Sequence, residues 1–571
     1  MEAQNMTAIS PTEEYFDLGD FTRVITTTSQ DAQIWFNRGL TWAYAFNHEE
    51  AAFCFSQVIA HDPKCAMGYW GVAFASGPNY NKEWQAFDEL DLRSSLVTCH
   101  TMALTASQVA DCASPVEKAL IDAIQQRFPS AEIPNSDFGP SMKAYADRMK
   151  TVYRDFGTGD LDIIVLAADA LMNMAPWQLY EARTGRPNLE TPVLEVKEIL
   201  ELGMKHPGAD HHPGILHMFI HLMEMSNTPE AAVRASNKLR HLVPEAGHLL
   251  HMPSHIDILV GEYGKAVEAN ARASIANNKY FSKQRPGHRI FYNIYRFHDY
   301  HMLIYAAMMS GQSAEALRAV SEMEAIITED LLNVKSPPMA DWTESYASVR
   351  IHVLIRFGMW EELKRLSLPK NESLYCVLTA TTHYGKAIAW AATQGIEEAE
   401  KELGLFQEAS ARVPETRLEF PNKVTDILQV AAAMLDGELQ YRRGNYEEAF
   451  ESLRLAIKRD DGLIYSEPWA WMLPARHPYG ALLLEQDRVE EAAEVYAQDL
   501  GLEEGQDSAH QHPGNIWGLH GYHECLVRLG RTKEASLISQ QLKKAEAIAD
   551  VSVVASCFCR LGKASQCCNG P

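Results

Sequence analysis

The chain has 571 residues, of which 46% are hydrophobic and 22% charged, a composition typical of a globular protein with a large core. Its formal net charge of −24 disfavours nucleic acids and anionic membranes as main partners. No apolar run approaches the roughly 20 residues that a membrane-spanning helix needs, no signal peptide is visible, and the low cysteine content favours a reducing, cytoplasmic location.

The first predicted elements, after an N-terminal extension (residues 1–30), are two helices with an informative spacing. Counted from residue 32, residues of characteristic size stand at positions 4, 8, 20, 24 and 32 of a 34-residue period: Trp35, Gly39, Ala51, Phe55 and Pro63. The small residues let two antiparallel helices approach closely, the large ones fill the space between pairs, and the proline ends the second helix. This is the pattern of the tetratricopeptide repeat (TPR).

Further pairs of small residues mark less regular repeats towards the C-terminus. They are Gly261 with Ala266, Gly311 with Ala316, Gly437 with Ala449, Gly480 with Ala492, and Gly530 with Ala535. Residues 78–190 fit the period poorly but keep the apolar spacing of helices, and strand signals are scarce. We therefore expect an all-α fold, a TPR-like α-solenoid whose antiparallel helix pairs form a right-handed superhelix. The degenerate array is predicted over residues 31–550, followed by a cysteine-containing tail (551–571).

Histidines recur at equivalent positions of the central repeats, at about residues 212–310. They fall at positions 2, 5 and 9 of the repeat, with one glutamate at position 12, and these positions face the concave groove of a TPR array. The set is His217, His221, His248, His251, His255, His298, His301 and Glu224. Spacings of three or four residues place imidazoles on one helix face, and neighbouring helices lie roughly 8–10 Å apart. We therefore predict that these side chains form a cluster.

Neutral imidazole is the commonest transition-metal ligand, so the cluster predicts a metal site. The predicted ligands are His217, His221, His251, His255, His298 and His301. Two further residues are predicted to take part in catalysis: Glu224 as a ligand or proton acceptor, and His248 as a ligand or supporting residue. No cysteine lies between residues 112 and 376, so the site lacks thiolate. A histidine-rich set suits copper or iron, with zinc as a further candidate.

The leading hypothesis is therefore a metal-dependent enzyme, an oxidoreductase with copper or non-haem iron, acting on a small molecule in the groove. The alternative is a non-catalytic TPR scaffold that binds a peptide or protein partner there, because a fold does not determine a function. A third hypothesis is metal storage or delivery, in which the cysteines at 557, 559, 567 and 568 would bind a soft ion. His352 and His477, near positions 9 and 5 of other repeats, are secondary candidates for substrate contact.

Several segments also carry a resemblance that covers nearly the whole chain. They are residues 26–29 (TTTS), 35–40 (WFNRGL), 45–51 (AFNHEEA), 212–224 (HPGILHMFIHLME), 247–255 (GHLLHMPSH) and 465–469 (YSEPW). In these segments the chain resembles a group of TPR-domain proteins found in bacteria and fungi. The resemblance implies the TPR-like helical fold and implies little about activity.

Overall fold

The structure is a computed structural model that describes residues 7–135, 137–283, 290–503 and 510–560. These residues form two compact units. Unit 1 takes its described residues from Met1–Glu181, Gly185–Ile256 and Arg272–Arg296. Unit 2 takes them from Ala182–Thr184, Asp257–Ala271 and Phe297–Pro571.

Helices make up most of both units. The helices of unit 1 are α1 (Gln30–Tyr44), α2 (His48–His61), α3 (Ala66–Ser76), α4 (Glu89–Gln108), α5 (Pro115–Arg127), α6 (Gly139–Phe156), α7 (Leu161–Met172), α8 (Val193–Gly203), α9 (Pro213–Met223), α10 (Val233–Leu239) and α11 (Gly247–His251). Three helices have residues in both units: α12 (Pro253–Leu259), α13 (Tyr263–Ser282) and α14 (Asn293–Met309).

The helices of unit 2 are α15 (Ser313–Glu324), α16 (Glu329–Leu332), α17 (Met339–Thr343), α18 (Val349–Arg356), α19 (Trp360–Arg365), α20 (Cys376–Ala392), α21 (Ile396–Ser410), α22 (Val424–Arg442), α23 (Tyr446–Asp460), α24 (Arg476–Glu485), α25 (Val489–Asp499), α26 (Ile516–Arg528) and α27 (Thr532–Glu546). Short 3-10 helices lie at Trp84–Ala86, Ala110–Cys112, Ala209–His211, Pro229–Ala232, Glu344–Ser348 and Phe558–Arg560. Within the described residues the strands are β1 (Leu418–Glu419) and β2 (Asn422–Lys423), paired antiparallel. The predicted all-α, TPR-like fold is confirmed.

The first helix pair of unit 1 shows why the repeat spacing produces this fold. Phe55 on α2 is fully buried between two glycines, Gly39 on α1 and Gly71 on α3. A Cβ atom would lie 2.8 Å from the Phe55 ring at Gly39 and 2.3 Å from it at Gly71. Such distances are too short for any side chain, so only glycine lets the three helices close on this ring. Burying a phenylalanine contributes about 1.5–3 kcal/mol to stability.

The same device recurs in unit 2. Tyr496 on α25 is fully buried between Gly480 on α24 and Gly521 on α26, where a Cβ atom would lie 2.5 Å and 2.3 Å from its ring. On α22, a Cβ atom at Gly437 would lie 2.7 Å from the side chain of Leu453 on α23. Gly480 and Gly437 stand at position 8 of the repeat, and Tyr496 and Leu453 at position 24. Large residues packed against glycine therefore define the helix pairing in both units.

The N-terminal segment packs on α1 and α2, whereas Ser556 of the tail bonds Arg356 on α18 and Tyr496 on α25. In the N-terminal extension, the Ile9 carbonyl accepts a hydrogen bond from Trp35 Nε1 (3.0 Å), and Tyr15 donates to Glu50 (2.7 Å). In the tail, Cys557 and Cys559 form a disulfide, whereas Cys567 and Cys568 lie outside the described residues. Within the described part of the chain, no helix is both long enough and apolar enough to cross a bilayer.

Two glycine substitutions in unit 2, one at position 8 of a repeat and one at an open site, test whether close helix packing requires glycine. Gly480→Ala should lower the free energy of unfolding by about 1–3 kcal/mol, because the new methyl group would overlap Tyr496. Gly404→Ala, in the middle of α21 with no atom within 4 Å of the added Cβ, should raise it by about 0.5–1 kcal/mol through helix propensity. Urea midpoints measure both, and equal shifts would contradict the packing described here.

Candidate metal centre

The start of α9 is held in place by His212. This residue caps the helix: its Nδ1 atom accepts a hydrogen bond from the Ile215 backbone N–H (3.2 Å), and Pro213 occupies the first turn, where no N–H is needed. Its Nε2 atom donates to Asp162 Oδ1 (3.0 Å). One imidazole therefore satisfies the helix end and ties α9 to the first turn of α7.

Asp162 is the centre of a buried polar network in unit 1. It also accepts hydrogen bonds from Arg23 (2.8 Å) and from the hydroxyl of Tyr44 (2.6 Å). Burial alone would raise the pKa of Asp162, but the hydrogen bond from His212 and the charge of Arg23 lower it to about 2. The network joins the last residue of α1 to α7 and α9.

Three imidazoles converge in unit 1 beside this network. His217 and His221 lie on α9 and His248 on α11, and each offers a ring nitrogen within 4.8 Å of the other two. All three side chains are buried. The structure thus brings together three of the histidines predicted from the sequence, at distances that small side-chain movements would close around one ion.

A hydrogen bond on the far side of the His217 ring defines which of its nitrogens faces the centre. His217 Nδ1 lies 2.6 Å from the Tyr44 carbonyl, which can only accept, so Nδ1 carries the proton and Nε2 the lone pair. His217 Nε2 and both ring nitrogens of His248 are buried and have no hydrogen-bond partner among the described residues. An unsatisfied buried polar atom costs about 1–3 kcal/mol, which ion binding would offset.

Glu224 orients two imidazoles at once. Its Oε1 atom accepts from His221 Nδ1 (2.8 Å) and its Oε2 atom from His255 Nδ1 (2.7 Å). A carboxylate behind a histidine fixes the tautomer and ring orientation of metal-binding imidazoles in general. Both oxygens of Glu224, which was predicted as a ligand or proton acceptor, are therefore engaged by histidines.

His251 and His255 form a close pair although the helix is interrupted between them. Because Pro253 lacks a backbone N–H, α11 ends at His251 and α12 begins at Pro253. The two Nε2 atoms nevertheless lie 2.6 Å apart. Since His255 donates through Nδ1 to Glu224, its Nε2 atom accepts a hydrogen bond from His251.

Aromatic side chains surround the three converging imidazoles. The Phe46 ring contacts His217, His221 and His248 with centroid distances of 4.5, 5.3 and 5.6 Å. Tyr80 lies 5.3 Å and Trp177 6.0 Å from His221. The repeat pattern did not indicate these contacts, because Phe46, Tyr80 and Trp177 lie in turns or loops.

Two of these aromatic residues adopt backbone conformations that L-residues seldom take. Phe46, in the turn between α1 and α2, has φ of 53°, and Trp177 has φ of 57°. A bulky residue in this region is strained by roughly 1–3 kcal/mol, and such strain clusters at functional sites. Here the strained backbone places both rings against His221.

Burial keeps the imidazoles neutral. Desolvation and the neighbouring His221 hold the pKa of His217 well below its usual value, and desolvation with His217 does the same for His248. Burial also raises the pKa of Glu224, an effect that His255 opposes. Neutral imidazole is the metal-binding form, so these two histidines are available as ligands at pH 7.

The other predicted site residues lie partly in unit 2 and are partly more buried than expected. His298 and His301 both lie on α14 and belong to unit 2, where His301 Nδ1 is 3.6 Å from Glu419 Oε1. Their roles as metal ligands stay predictions. The expectation that the histidines line an open groove is wrong for His217, His221, His248, His251 and His255, because all five are buried. Neighbouring side chains cover them, as the Phe46 ring does for His217, His221 and His248.

His477, a secondary candidate, belongs to a polar network inside unit 2. Its Nε2 atom donates to Asp499 (2.9 Å), which also accepts from His512 (2.8 Å) and Asn515 (2.9 Å). Arg356 lies 3.1 Å from its other ring nitrogen. With both nitrogens engaged and the ring fully buried, His477 joins α24 to α25.

The fold and the paired helices define a TPR-like helical protein. No protein-family model and no curated protein sequence matches this chain. Solved structures with some likeness include yeast Tom70 (12% identity, TM-score 0.28, covering 90% of this chain and 93% of that one). A second is Naa15/Naa10 bound to HypK (11% identity, TM-score 0.22, covering 90% of this chain and 70% of that one). A third is the TPR domain of P58(IPK) (12% identity, TM-score 0.18, covering 80% of this chain and 99% of that one). These scores are too low to support an inference about activity or partners.

The Asp162 network predicts a pH-dependent contribution to stability. At pH 7, Asp162→Asn should lower the free energy of unfolding by about 3 kcal/mol, because Arg23 and His212 lose a buried charged partner. The pKa of Asp162 is about 2 in the fold and 3.8 ordinarily, so its ionised form stabilises the fold above pH 3.8. The difference between wild type and variant should therefore shrink as pH falls from 4 towards 2.

Chemical denaturation across this pH range measures the effect. Asp155→Asn, which removes an exposed partner of Arg154, is the control and should change stability by less than about 0.5 kcal/mol at any pH. A difference between wild type and Asp162→Asn that stays constant down to pH 2 would contradict the assigned ionisation.

Proposed function

We propose that this protein is a metal-dependent enzyme whose centre is a transition-metal ion bound by His217, His221 and His248. The observation that carries the proposal is the convergence of three buried imidazoles whose nitrogens lie within 4.8 Å of each other. Unpartnered nitrogens on His217 and His248 support it, because a buried polar atom without a partner is costly in a chain that binds nothing there.

The ligand set favours copper or iron, with zinc as a further candidate. Imidazole binds copper, iron, nickel and zinc well, and the three converging residues include no thiolate and no carboxylate. Three protein ligands leave a coordination position for a further molecule, as catalytic sites require and structural zinc sites do not. A small-molecule substrate is the occupant that we propose for this position.

Redox chemistry fits these residues better than hydrolysis. Hydrolysis at a metal centre usually uses a carboxylate base next to the bound water. Glu224, the carboxylate that was predicted for this role, has both oxygens engaged by His221 and His255. We therefore assign Glu224 the role of orienting two imidazoles, and we propose an oxidoreductase.

The scaffold alternative receives no support from the position of these histidines. A peptide that bound through the imidazoles would need them on an accessible surface, yet His217, His221 and His248 are at most 1% exposed. The aromatic ring of Phe46 covers all three. Such a shell admits a small molecule more readily than a polypeptide.

Metal content tests the proposal directly. Tag-free protein purified without chelator should carry about one equivalent of copper or iron by inductively coupled plasma mass spectrometry. The variant His217→Gln/His248→Gln should lose the metal and keep its circular dichroism spectrum. Two equivalents in the wild type would indicate that His251 and His255 hold a second ion.

The matched control is His100→Gln, since His100 is also a unit 1 histidine whose Nδ1 atom lies near a backbone carbonyl, that of Phe128 (2.9 Å). It should keep the full metal content. A wild-type protein that holds no transition metal and takes none up on reconstitution would refute the proposed centre.

The role of Glu224 gives a second prediction. In Glu224→Gln the amide can accept a hydrogen bond from only one of His221 and His255, so one ring loses its orientation. Metal affinity, measured by competition with a chelator, should fall by roughly 10–100-fold. The control Glu117→Gln changes a buried carboxylate that bonds Thr26 and Ser114 and should leave metal affinity unchanged. Unchanged affinity in Glu224→Gln with loss of turnover would instead indicate a catalytic base.

A further inference from the structure

A separate cavity lies within unit 2, among the helices α18, α20 and α22 and the hairpin β1–β2. It leaves about 40 Å³ of space for water-sized groups and opens towards solvent. Most of its wall is apolar and includes the Trp471 indole. The polar groups that reach it are few: a carboxyl from Glu419, imidazoles from His301 and His352, and three hydroxyls.

Glu419 is positioned in this cavity by the hairpin. It stands on β1 opposite Asn422 on β2. The Asn422 side chain is itself fixed, because it donates to the Ile464 carbonyl (2.8 Å) and accepts from the Ile464 N–H (2.7 Å). A two-residue turn therefore holds one carboxyl at the cavity wall, and its side chain is only 11% exposed.

The carboxyl of Glu419 lacks a cationic side chain in the cavity. The Ser345 hydroxyl donates to its Oε2 atom (2.9 Å), and the neutral ring of His301 lies 3.6 Å from Oε1. Among the described residues that line the cavity, none is lysine or arginine. Buried carboxylates are normally paired with a cation, so the cavity offers a site for a positive charge.

His352 supplies a second, independent indication of a ligand. Its side chain is 6% exposed, its ring packs edge-on against Trp471 (centroids 5.0 Å apart), and its Nδ1 atom has no hydrogen-bond partner in the described part of the chain. Neutral imidazole can accept a hydrogen bond through such a nitrogen. An N–H donor bound in the cavity would satisfy it.

We propose that this cavity binds a small organic amine in its ammonium form, with Glu419 as counter-ion, His352 as hydrogen-bond acceptor and the apolar wall around the carbon skeleton. The Glu419 carboxyl matches the charge of such a molecule, His352 Nδ1 matches its N–H donors, and the apolar wall matches its carbon skeleton. An organic anion would meet the Glu419 carboxyl without a compensating cation, and the apolar wall disfavours a bare metal ion. This site uses residues of unit 2 alone and does not depend on the metal centre proposed above.

Isothermal titration calorimetry with three probes of one shape tests the proposal: benzylamine, benzyl alcohol and benzoate, each added to the full-length protein as purified. Benzylamine should bind at least about tenfold more tightly than benzyl alcohol, equivalent to about 1.4 kcal/mol for a charge-assisted hydrogen bond. Benzoate should not bind. Equal affinity for the amine and the alcohol, or preference for benzoate, would overturn the proposal.

Substitutions locate the binding at this cavity. Glu419→Gln keeps the shape and an acceptor for Ser345 but removes the charge, so the preference for amine over alcohol should disappear. Glu419→Asp keeps the charge and should retain the preference. The control Glu402→Gln removes a different unit 2 carboxyl, which is paired with His383, and should change neither affinity. Amine binding that persists unchanged in a folded Glu419→Gln variant would show that the amine binds elsewhere, for example at a metal ion, and would refute the assignment.

Discussion

Close approach between paired helices is the constraint on which the rest of this protein depends. Phe55 and Tyr496 each fill the space between two glycines, in unit 1 and unit 2 respectively, at distances that exclude any Cβ atom. Close approach also shapes the proposed metal centre, because a Cβ atom at Gly214 would lie 3.0 Å from the Tyr44 ring. Because α9 lies this close to the end of α1, the Tyr44 carbonyl accepts a hydrogen bond from His217 and orients its ring. The turn after α1 places the Phe46 ring against His217, His221 and His248.

The proposed metal centre combines satisfied hydrogen bonds with unsatisfied buried nitrogens. Behind the ligands, hydrogen bonds to Tyr44 and Glu224 hold His217, His221 and His255, and Asp162 with His212 fixes the start of α9. The near side of the centre leaves buried nitrogens of His217 and His248 unpartnered among the described residues, and the backbone beside it is strained. Satisfied supports behind unsatisfied ligands are the arrangement that preorganises a binding site, since the cost is met in folding and recovered when the ligand binds.

Two glutamates show how surroundings assign different roles to one side-chain type. Glu224 is enclosed by imidazoles that donate to both of its oxygens, which leaves it to orient other groups. Burial raises the pKa of Glu419 to about 7, because a single hydroxyl and a neutral imidazole compensate its charge only in part. Both oxygens of Glu224 accept hydrogen bonds, whereas Glu419 has no lysine or arginine beside it among the described residues that line its cavity.

The sequence by itself determined the all-α, TPR-like fold, because the sizes of residues such as Gly39, Ala51 and Phe55 at repeat spacing admit one way of pairing helices. It also singled out His217, His221 and His248, since helical periodicity specifies which face a side chain occupies. Only the tertiary structure decided that these imidazoles are buried, that Glu224 engages two of them, and that Phe46 and Trp177 enclose them. Those outcomes depend on turns and on contacts between residues far apart in the chain, and local periodicity carries no information about either.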